Sequence, residues 1–340
     1  MMAAIEIYSP DSDPRRALRE VVREPGPLAP GQLRIRVTAC GVCRTDLQLT
    51  TGDLPAHLLP VVPGHQVVGR VTEAAPDVDG WQAGDRVGLI WLAWACGECR
   101  FCLRGSENLC LRAEFTGWDV DGGYADEVVA QASFAHRLGH LDGIDDAAVA
   151  PLLCGGVIGY RALHIAGISG PTAGVEPVRL GLYGFGASAS LAIQVANHWG
   201  VLSSVITRSA QEAARARELG AEWAGTYDDD VPHELDAAIT FAPVGDVVVA
   251  ALKSVRPGGT VAVNAIHLDR VPQFDYDDLW WERSIRSVAN VTRADAREFL
   301  DLVGPAGVTT RTEVLSLSGA ATALKRVAAG DVDGSCVLVP

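Results

Sequence analysis

Apolar and polar residues alternate with a period of two in several short runs of the first part of the chain. The alternation is clear in LRIRVTACGVC from Leu33, in HQVVGRVTEAA from His65 and in GDRVGLI from Gly84, and Gly and Pro separate the runs. Alternation of this kind is typical of strands with one buried face, and turn residues between such strands favour antiparallel connections. The pattern predicts an antiparallel, barrel-like β domain over roughly the first 150 residues.

After this region, short apolar runs alternate with amphipathic segments of about a dozen residues. The runs VRLGLYGF, SSVIT, LDAAITFAP and GGTVAVNAI are separated by SASLAIQVANHWG, SAQEAARARELGA and VGDVVVAALKSV. Strands that alternate with helices indicate βαβ units on a parallel sheet. The chain is therefore predicted to be α/β, with a doubly wound Rossmann sheet over 156–289. Residues 1–155 are predicted to form the other domain together with 290–340, whose last strand returns to it.

Composition and charge argue against some classes of binding partner for this protein. A length of 340 residues suggests about two domains, and a net charge of −14 argues against nucleic acid or an anionic membrane as the main partner. The N-terminus has no basic segment followed by an apolar run, and no uninterrupted apolar stretch has membrane-spanning length. A cytoplasmic protein with a small-molecule substrate is the expectation.

Four cysteines follow one another in the run CGECRFCLRGSENLC with the spacing C-x2-C-x2-C-x7-C, namely Cys96, Cys99, Cys102 and Cys110. Four thiolates so close in sequence can converge on one tetrahedral Zn²⁺ ion, and a closed site of this type is structural rather than catalytic. The bacterial ferredoxin pattern has a three-residue last gap followed by Pro, whereas this chain has seven residues and then Leu111. We predict structural zinc, with an iron–sulfur cluster and a disulfide as the alternatives.

A glycine-rich turn follows the first strand of the predicted parallel sheet. It has the form G-x-G-x-x-A, and its defining residues include Gly184, Gly186, Ala187 and Ser188. The first glycine allows a sharp turn, the second lets the backbone approach a pyrophosphate, and the following helix presents free N–H groups to it. The motif predicts dinucleotide binding.

The end of the next strand bears on the type of dinucleotide. An acidic residue there would bind the ribose hydroxyls of NAD, but the chain has Thr207, Arg208 and Ser209. A cation between two hydroxyls suits a 2′-phosphate, so NADP(H) is favoured over NAD(H). The alternative is that Arg208 is a solvated loop residue.

The order of the motifs resembles the zinc-dependent medium-chain dehydrogenase/reductase family, the alcohol dehydrogenases, and in particular its bacterial cinnamyl-alcohol-dehydrogenase-like branch. The resemblance covers essentially the whole chain. It implies a GroES-like antiparallel β-barrel catalytic domain beside the Rossmann domain. The motifs are, in chain order, CGVCRTDL, PVVPGHQVVGRV, GWQAGDRVG, the four-cysteine run, FTGWDVDGGYAD, PLLCGGVIGYRAL and LGLYGFGASASLAIQVA.

The resemblance implies a second, catalytic zinc ion. Its ligands would be Cys43, His65 and Cys154, which leaves one position open for water or a substrate oxygen. Thr45 would hydrogen-bond the substrate oxygen and begin a proton relay, and Asp46 would orient a metal ligand.

The resemblance also implies further cofactor contacts. Arg44 and Arg293 match positions that contact the pyrophosphate. Val291, together with Ala265 and Ile266 at a strand end, matches positions near the nicotinamide.

The substrate pocket is implied to include Leu54, Trp91 and Trp118. Two residues depart from the family pattern. Gln66 replaces the usual Glu after the zinc-binding His, so we expect a slightly more electrophilic metal. Gln48 replaces the His that ends the proton relay in many relatives, so protons would leave through water or another residue.

The sequence thus predicts a zinc-dependent alcohol dehydrogenase and aldehyde reductase that uses NADP(H). One alternative is a reductase of conjugated C=C or C=N bonds on the same fold, and another is a non-catalytic NADPH-binding relative. A homodimer or homotetramer is expected, with contacts near the edge strands of the parallel sheet around residues 260–288.

Overall fold

The computed structural model describes residues 1–171 and 176–340. Packing divides the described chain into two units. The first comprises Met1–Cys154, Asn290–Asp301 and Thr309–Pro340, and the second comprises Gly155–Ala289 and Leu302–Val308. The second unit thus begins one residue earlier than the sequence predicts, and it includes Leu302–Val308, which the prediction assigned to the first domain.

The described strands, in chain order, are β1 (Met2–Ile7), β2 (Leu18–Arg23), β3 (Gln32–Val42), β4 (Gln66–Ala74), β5 (Arg86–Leu89), β6 (Leu92–Trp94), β7 (Glu114–Phe115), β8 (Glu127–Gln131), β9 (His136–Arg137), β10 (Arg179–Tyr183), β11 (Leu202–Ile206), β12 (Trp223–Gly225), β13 (Leu235–Thr240), β14 (Val255–Val263), β15 (Ser284–Ser287), β16 (Thr312–Ser316) and β17 (Ser335–Val339). The α-helices are α1 (Pro14–Ala17), α2 (Arg44–Thr51), α3 (Asp146–Val149), α4 (Gly155–Ile165), α5 (Ala187–His198), α6 (Ala210–Glu218), α7 (Gly245–Ser254), α8 (Tyr276–Leu279), α9 (Arg293–Val303) and α10 (Ala320–Ala329).

The main sheet of the first unit has the strand order β16-β17-β3-β4-β5-β9, and β8 also pairs with β3. Its centre is the antiparallel pair β3–β4, in which Leu33, Ile35 and Val37 of β3 are buried. The alternating arginines Arg34 and Arg36 are at least partly exposed, as the period-two pattern predicts. The β16–β17 pair is parallel, so the sheet is not antiparallel throughout.

The second unit contains a parallel sheet with the order β12-β11-β10-β13-β14-β15. Because β10 pairs with β11 on one side and with β13 on the other, the chain reverses its direction of progress across the sheet at β10. In sheets of this type, ligands bind at the carboxyl ends of the strands beside such a switch point. The Rossmann prediction is confirmed, although the short strands β12 and β15 were not foreseen.

The stretch Asp146–Ile165 of the described chain, which contains α3 and α4, is long and apolar enough to cross a membrane by length and composition. Of its most apolar window, 67% is buried inside the protein. That burial is typical of a core helix, in which apolar residues face the protein interior on most sides.

His136, in the edge strand β9, gives the first unit a predicted dependence on pH. Burial, together with the charges of Arg297 and Arg293, lowers the pKa of this histidine from 6.5 to about 4. The unfolded chain therefore takes up a proton that the folded chain excludes. We expect the free energy of unfolding to fall as the pH drops from 6.5 to 4, by up to about 3 kcal/mol, because one pKa unit corresponds to about 1.4 kcal/mol.

Urea unfolding of the wild type and of His136→Gln, at pH 7.5 and at pH 5.0, measures this contribution. The wild type is expected to lose about 2 kcal/mol more than the variant between the two pH values. Comparison with the variant cancels the titration of all other groups. Equal losses in the two proteins would contradict the prediction.

Candidate functional site

Two thiols and one imidazole converge in the first unit. Cys43 follows β3 directly and caps the N-terminus of α2, and His65 directly precedes β4. Because β3 and β4 are antiparallel, with Gly41 opposite Gln66, the end of one strand adjoins the beginning of the other. Cys154 directly precedes α4. The Nε2 atom of His65 is 3.4 Å from the Sγ atom of Cys43 and 3.4 Å from that of Cys154.

These three donors fit a tetrahedral zinc ion. With Zn–S bonds of about 2.3 Å and Zn–N bonds of about 2.0–2.1 Å, an S···N edge of the tetrahedron is about 3.6 Å. The two observed separations of 3.4 Å are close to this value, and all three donor atoms lie within 4.8 Å of one another. Three protein donors leave the fourth position of a tetrahedron open, which is the arrangement of catalytic zinc sites.

Asp46 contacts both Cys43 and His65 and thereby fixes their positions. Its carboxylate is fully buried and accepts hydrogen bonds from the Cys43 backbone N–H (2.9 Å) and the Gly64 backbone N–H (3.2 Å). It also lies 3.2 Å from the Nδ1 atom of His65. A carboxylate at Nδ1 fixes the histidine tautomer that leaves the Nε2 lone pair free for a metal. In the structure the Nε2 atom of His65 faces the two thiols.

The electrostatics of the group favour a thiolate. A hydrogen bond from Cys154 lowers the pKa of the Cys43 thiol well below its usual value, although burial opposes this effect. Burial alone would lower the pKa of His65, but the negative charges of Cys43 and Asp46 raise it well above its usual value. Thiolate is the form of cysteine that binds metal.

The residues predicted to surround this group are placed as follows. Thr45 is buried, and its backbone N–H donates to the Cys43 Sγ atom at 3.3 Å. Gln66 is also buried and lies beside Gly41. A Cβ atom added to Gly41 would come within 2.2 Å of the Oε1 atom of Gln66. Gln48 lies on α2 and is partly exposed.

The three residues predicted to line the substrate pocket lie in the same unit. The Trp91 ring centroid is 6.0 Å from that of His65, and Trp118 stacks on Trp91 at 5.7 Å. Leu54 and Trp118 pack against one small buried cluster that contains Leu49. The structure therefore brings an aromatic surface next to the candidate metal ligand His65.

The four clustered cysteines also converge, as their spacing predicts. Their thiols are free, and the Sγ–Sγ distances are 3.5 Å for Cys110–Cys96, 3.6 Å for Cys99–Cys102 and 3.9 Å for Cys96–Cys102. An S···S edge of a zinc tetrahedron is about 3.8 Å. The backbone N–H of Glu98 lowers the pKa of the Cys96 thiol to about 6. Four sulfur donors leave no open position, so the group fits a structural ion.

The glycine-rich turn of the second unit joins β10 to α5. Gly184 has a φ of +89°, a conformation that side chains other than glycine rarely adopt. Gly186 is the N-cap of α5, and no side chain caps the helix. A Cβ atom added at Gly186 would meet no atom within 4 Å, so protein packing does not explain this glycine. An uncapped helix N-terminus beside open space suits a pyrophosphate.

The residues after β11 differ in part from what the sequence suggested. Arg208 is exposed, but the Thr207 hydroxyl donates to the Glu212 carboxylate, and Ser209 caps α6 by accepting from the Glu212 N–H at 3.4 Å. The contacts of Glu212 were not predicted from the sequence. Its signal was present, since Ser209 followed by Glu212 has the S-x-x-E spacing of a helix N-terminus.

The remaining predicted cofactor residues lie in different units. Arg44, Val291 and Arg293 belong to the first unit, whereas Ala265 and Ile266 follow β14 in the second. The guanidinium of Arg293 pairs with Glu107 at 3.1 Å, and Val291 is buried. Arg44 is exposed at the first turn of α2. Their roles at the cofactor stay predictions.

The sequence matches two family profiles. Residues 29–140 match the alcohol dehydrogenase GroES-like domain, and residues 189–304 match the zinc-binding dehydrogenase domain. The chain is 46% identical over 327 residues to a probable alcohol dehydrogenase, AdhA, of Mycobacterium tuberculosis (strain CDC 1551 / Oshkosh), a match that covers 94% of this chain and 92% of the relative. It is 34% identical over 321 residues to an alcohol dehydrogenase of Geobacillus stearothermophilus, with 92% of each covered.

Solved structures show the same fold. The structure of a cinnamyl alcohol dehydrogenase from Sorghum bicolor (L.) Moench superposes with a TM-score of 0.88 at 26% identity, covering 100% of this chain and 98% of that one. Both family profiles, the full-length relatives and this superposition agree with the resemblance seen in the sequence. The chain belongs to the zinc-dependent medium-chain dehydrogenase/reductase family of alcohol dehydrogenases.

Proposed function

We propose that the protein is a zinc-dependent alcohol dehydrogenase and aldehyde reductase that transfers a hydride between NADP(H) and a primary alcohol or aldehyde. The observation that supports this most strongly is the convergence of Cys43, His65 and Cys154 with room for a fourth ligand. Zinc at such a site supplies Lewis-acid chemistry: it polarises a carbonyl or lowers the pKa of an alcohol. A hydride acceptor or donor is supplied by the nicotinamide.

The side chains of this protein orient the reactants and move protons. Asp46 fixes the ring of His65 through its Nδ1 atom, so that Nε2 points to the reacting position. Thr45, in the first turn of α2 and buried beside Cys43, is proposed to hydrogen-bond the substrate oxygen and to accept its proton as it gives up its own. Because Gln48 cannot titrate near neutral pH, the proton is proposed to continue to solvent through water.

NADP(H) is the proposed cofactor, and the support for it is the exposed Arg208 after β11. A guanidinium can bind a 2′-phosphate through charge-assisted hydrogen bonds. The nearby Glu212 carboxylate opposes this preference, because it repels a phosphate. The selectivity is therefore proposed to be the balance of these two charges.

Arg208→Asp is expected to weaken NADPH binding at least tenfold and to leave NADH binding nearly unchanged, since a hydrogen bond to a charged group contributes about 1.5–3 kcal/mol. Glu212→Gln is the matched variant and should strengthen NADPH binding. Fluorescence titration with each cofactor gives the dissociation constants. Equal affinities of the wild type for both cofactors, or equal losses for both in Arg208→Asp, would count against NADP selectivity.

Two zinc ions per chain and a cytoplasmic homodimer or homotetramer complete the proposal. An association of subunits is supported by the edge strand β15 and by the exposed indoles of Trp280 and Trp281 that precede it. Unpaired strand edges and exposed aromatic residues are typical of contact surfaces.

Product analysis with cinnamaldehyde and NADPH tests the proposed reaction. The unsaturated alcohol is the expected product. The saturated aldehyde would support the alternative reductase of conjugated double bonds, and bound NADPH without turnover of any aldehyde would support a non-catalytic relative. The neutral residues Gln48 and Gln66 are the features that favour the alternative of reducing conjugated bonds.

A further inference from the structure

We infer that His57 is a positioning residue that sets which alcohols are accepted, because it holds the Trp118 indole in the aromatic surface beside the metal ligand His65. The inference rests on the proposed alcohol dehydrogenase function. No motif of the sequence marks His57, and its role follows only from the contacts of its ring.

An unbroken row of rings connects His57 with the candidate metal ligand. The His57 and Trp118 rings are stacked, with centroids 4.0 Å apart and planes inclined by 20°. Trp118 stacks in turn on Trp91 at 5.7 Å and 13°, and Trp91 lies 6.0 Å from His65. The side chain of His57 is 52% exposed, so the row extends from the protein surface to the buried ligand.

Hydrogen bonds fix the outer end of this row. The Nδ1 atom of His57 is 2.7 Å from the Oδ1 atom of Asp119. The other carboxylate oxygen of Asp119 accepts the backbone N–H of Phe115 at 2.9 Å, which holds the carboxylate rigidly. The Trp118 indole N–H donates to the Pro55 carbonyl at 2.9 Å. The His57 ring is therefore held in place by Asp119, and the Trp118 indole packs against its face.

The consequence concerns large, flat substrates. A planar aromatic alcohol bound near His65 would lie against the Trp91–Trp118 surface and gain from stacking only if the indole is already in place. Ethanol has no ring that could stack on Trp118. Loss of His57 gives the indole more freedom, and we expect this to raise KM for cinnamyl alcohol about 3- to 10-fold without changing KM for ethanol.

Two substitutions separate the stacking from the hydrogen bond. His57→Phe keeps a flat ring against Trp118 and loses the bond to Asp119, and His57→Asn keeps a polar partner for Asp119 and loses the ring. We expect His57→Phe to retain most of the preference for cinnamyl alcohol, whereas His57→Asn and His57→Ala lose it. His233→Ala, a change at an exposed histidine of the second unit, is the control.

The experiment measures kcat and KM for cinnamyl alcohol and ethanol in these variants, together with the indole N–H signal of Trp118 in ¹⁵N-tryptophan-labelled protein, assigned with Trp118→Phe. A higher KM for cinnamyl alcohol alone and faster exchange of the Trp118 indole proton in His57→Ala are the expected results. An unchanged substrate preference or an unchanged indole signal would overturn the inference. Failure of the wild type to oxidise either alcohol would instead refute the proposed function.

Discussion

Cys43→Ala is expected to lose one of two bound zinc ions and to lower kcat/KM for alcohol oxidation at least about a thousandfold. Cys43 is one of three donors whose separations fit a single ion, and with two donors left the ion is held weakly. Lewis-acid stabilisation is worth several kcal/mol, and each 1.4 kcal/mol corresponds to a factor of ten in rate. Elemental analysis and steady-state kinetics measure the two effects.

Cys336→Ala is the matched control. Cys336 is a fully buried thiol in β17 and belongs to the hydrophobic core of the first unit. Its variant should keep both ions and nearly the full rate. If Cys43→Ala retained two zinc ions and wild-type kcat/KM, the assignment of the catalytic ion to Cys43, His65 and Cys154 would be wrong.

Cys99→Ala is expected to lose the other zinc ion and to open the segment from Cys96 to Arg112. This segment has little core of its own: the side chains of Leu103 and Leu111 are 74% and 92% exposed. A metal ion must therefore provide most of its cohesion, as in small zinc-binding domains that are unfolded without metal.

Limited digestion with trypsin measures this opening. Three exposed arginines of the segment offer cleavage sites, namely Arg100, Arg104 and Arg112. Cleavage there should be at least about tenfold faster in Cys99→Ala, since cleavage follows the population of the open form. The catalytic ion should remain. A segment as resistant as that of the wild type would show that the four thiols do not depend on a shared ion.

The sequence predicted best those features whose parts are close along the chain. Cys96 to Cys110 span only fifteen residues, so their spacing alone limits where the thiols can lie, and the structure brings all four together. The turn at Gly184 was equally local. In both cases a short stretch of sequence determines the local geometry: the cysteine spacing lets four thiols converge, and Gly184 allows the sharp turn.

Sequence spacing could not predict that Cys43, His65 and Cys154 lie together, because they are far apart along the chain. These residues become neighbours only because β3 and β4 pair in the observed register and because Cys154 directly precedes α4. In the sequence, only the family resemblance indicated that these three residues bind one ion. The short strands β12 and β15 were missed, since three or four residues are too few to establish a period.

Side-chain contacts between loops were the least predictable. No motif surrounds His57, and its stacking on Trp118 depends on two loops that are remote in sequence. Glu212 was not predicted because it lies beyond the three residues that follow β11. Its bond to Thr207 depends on where the first turn of α6 lies.

The most direct test of the central claim is the rate of cinnamyl alcohol oxidation with NADP⁺, followed as zinc is removed by dialysis against a chelator and then restored. Zinc content is measured at each step. We predict that the rate falls with loss of the ion held by Cys43, His65 and Cys154 and returns when that ion is replaced. An undiminished rate in zinc-free protein, or no rate in fully loaded protein with NADP⁺ bound, would contradict the account.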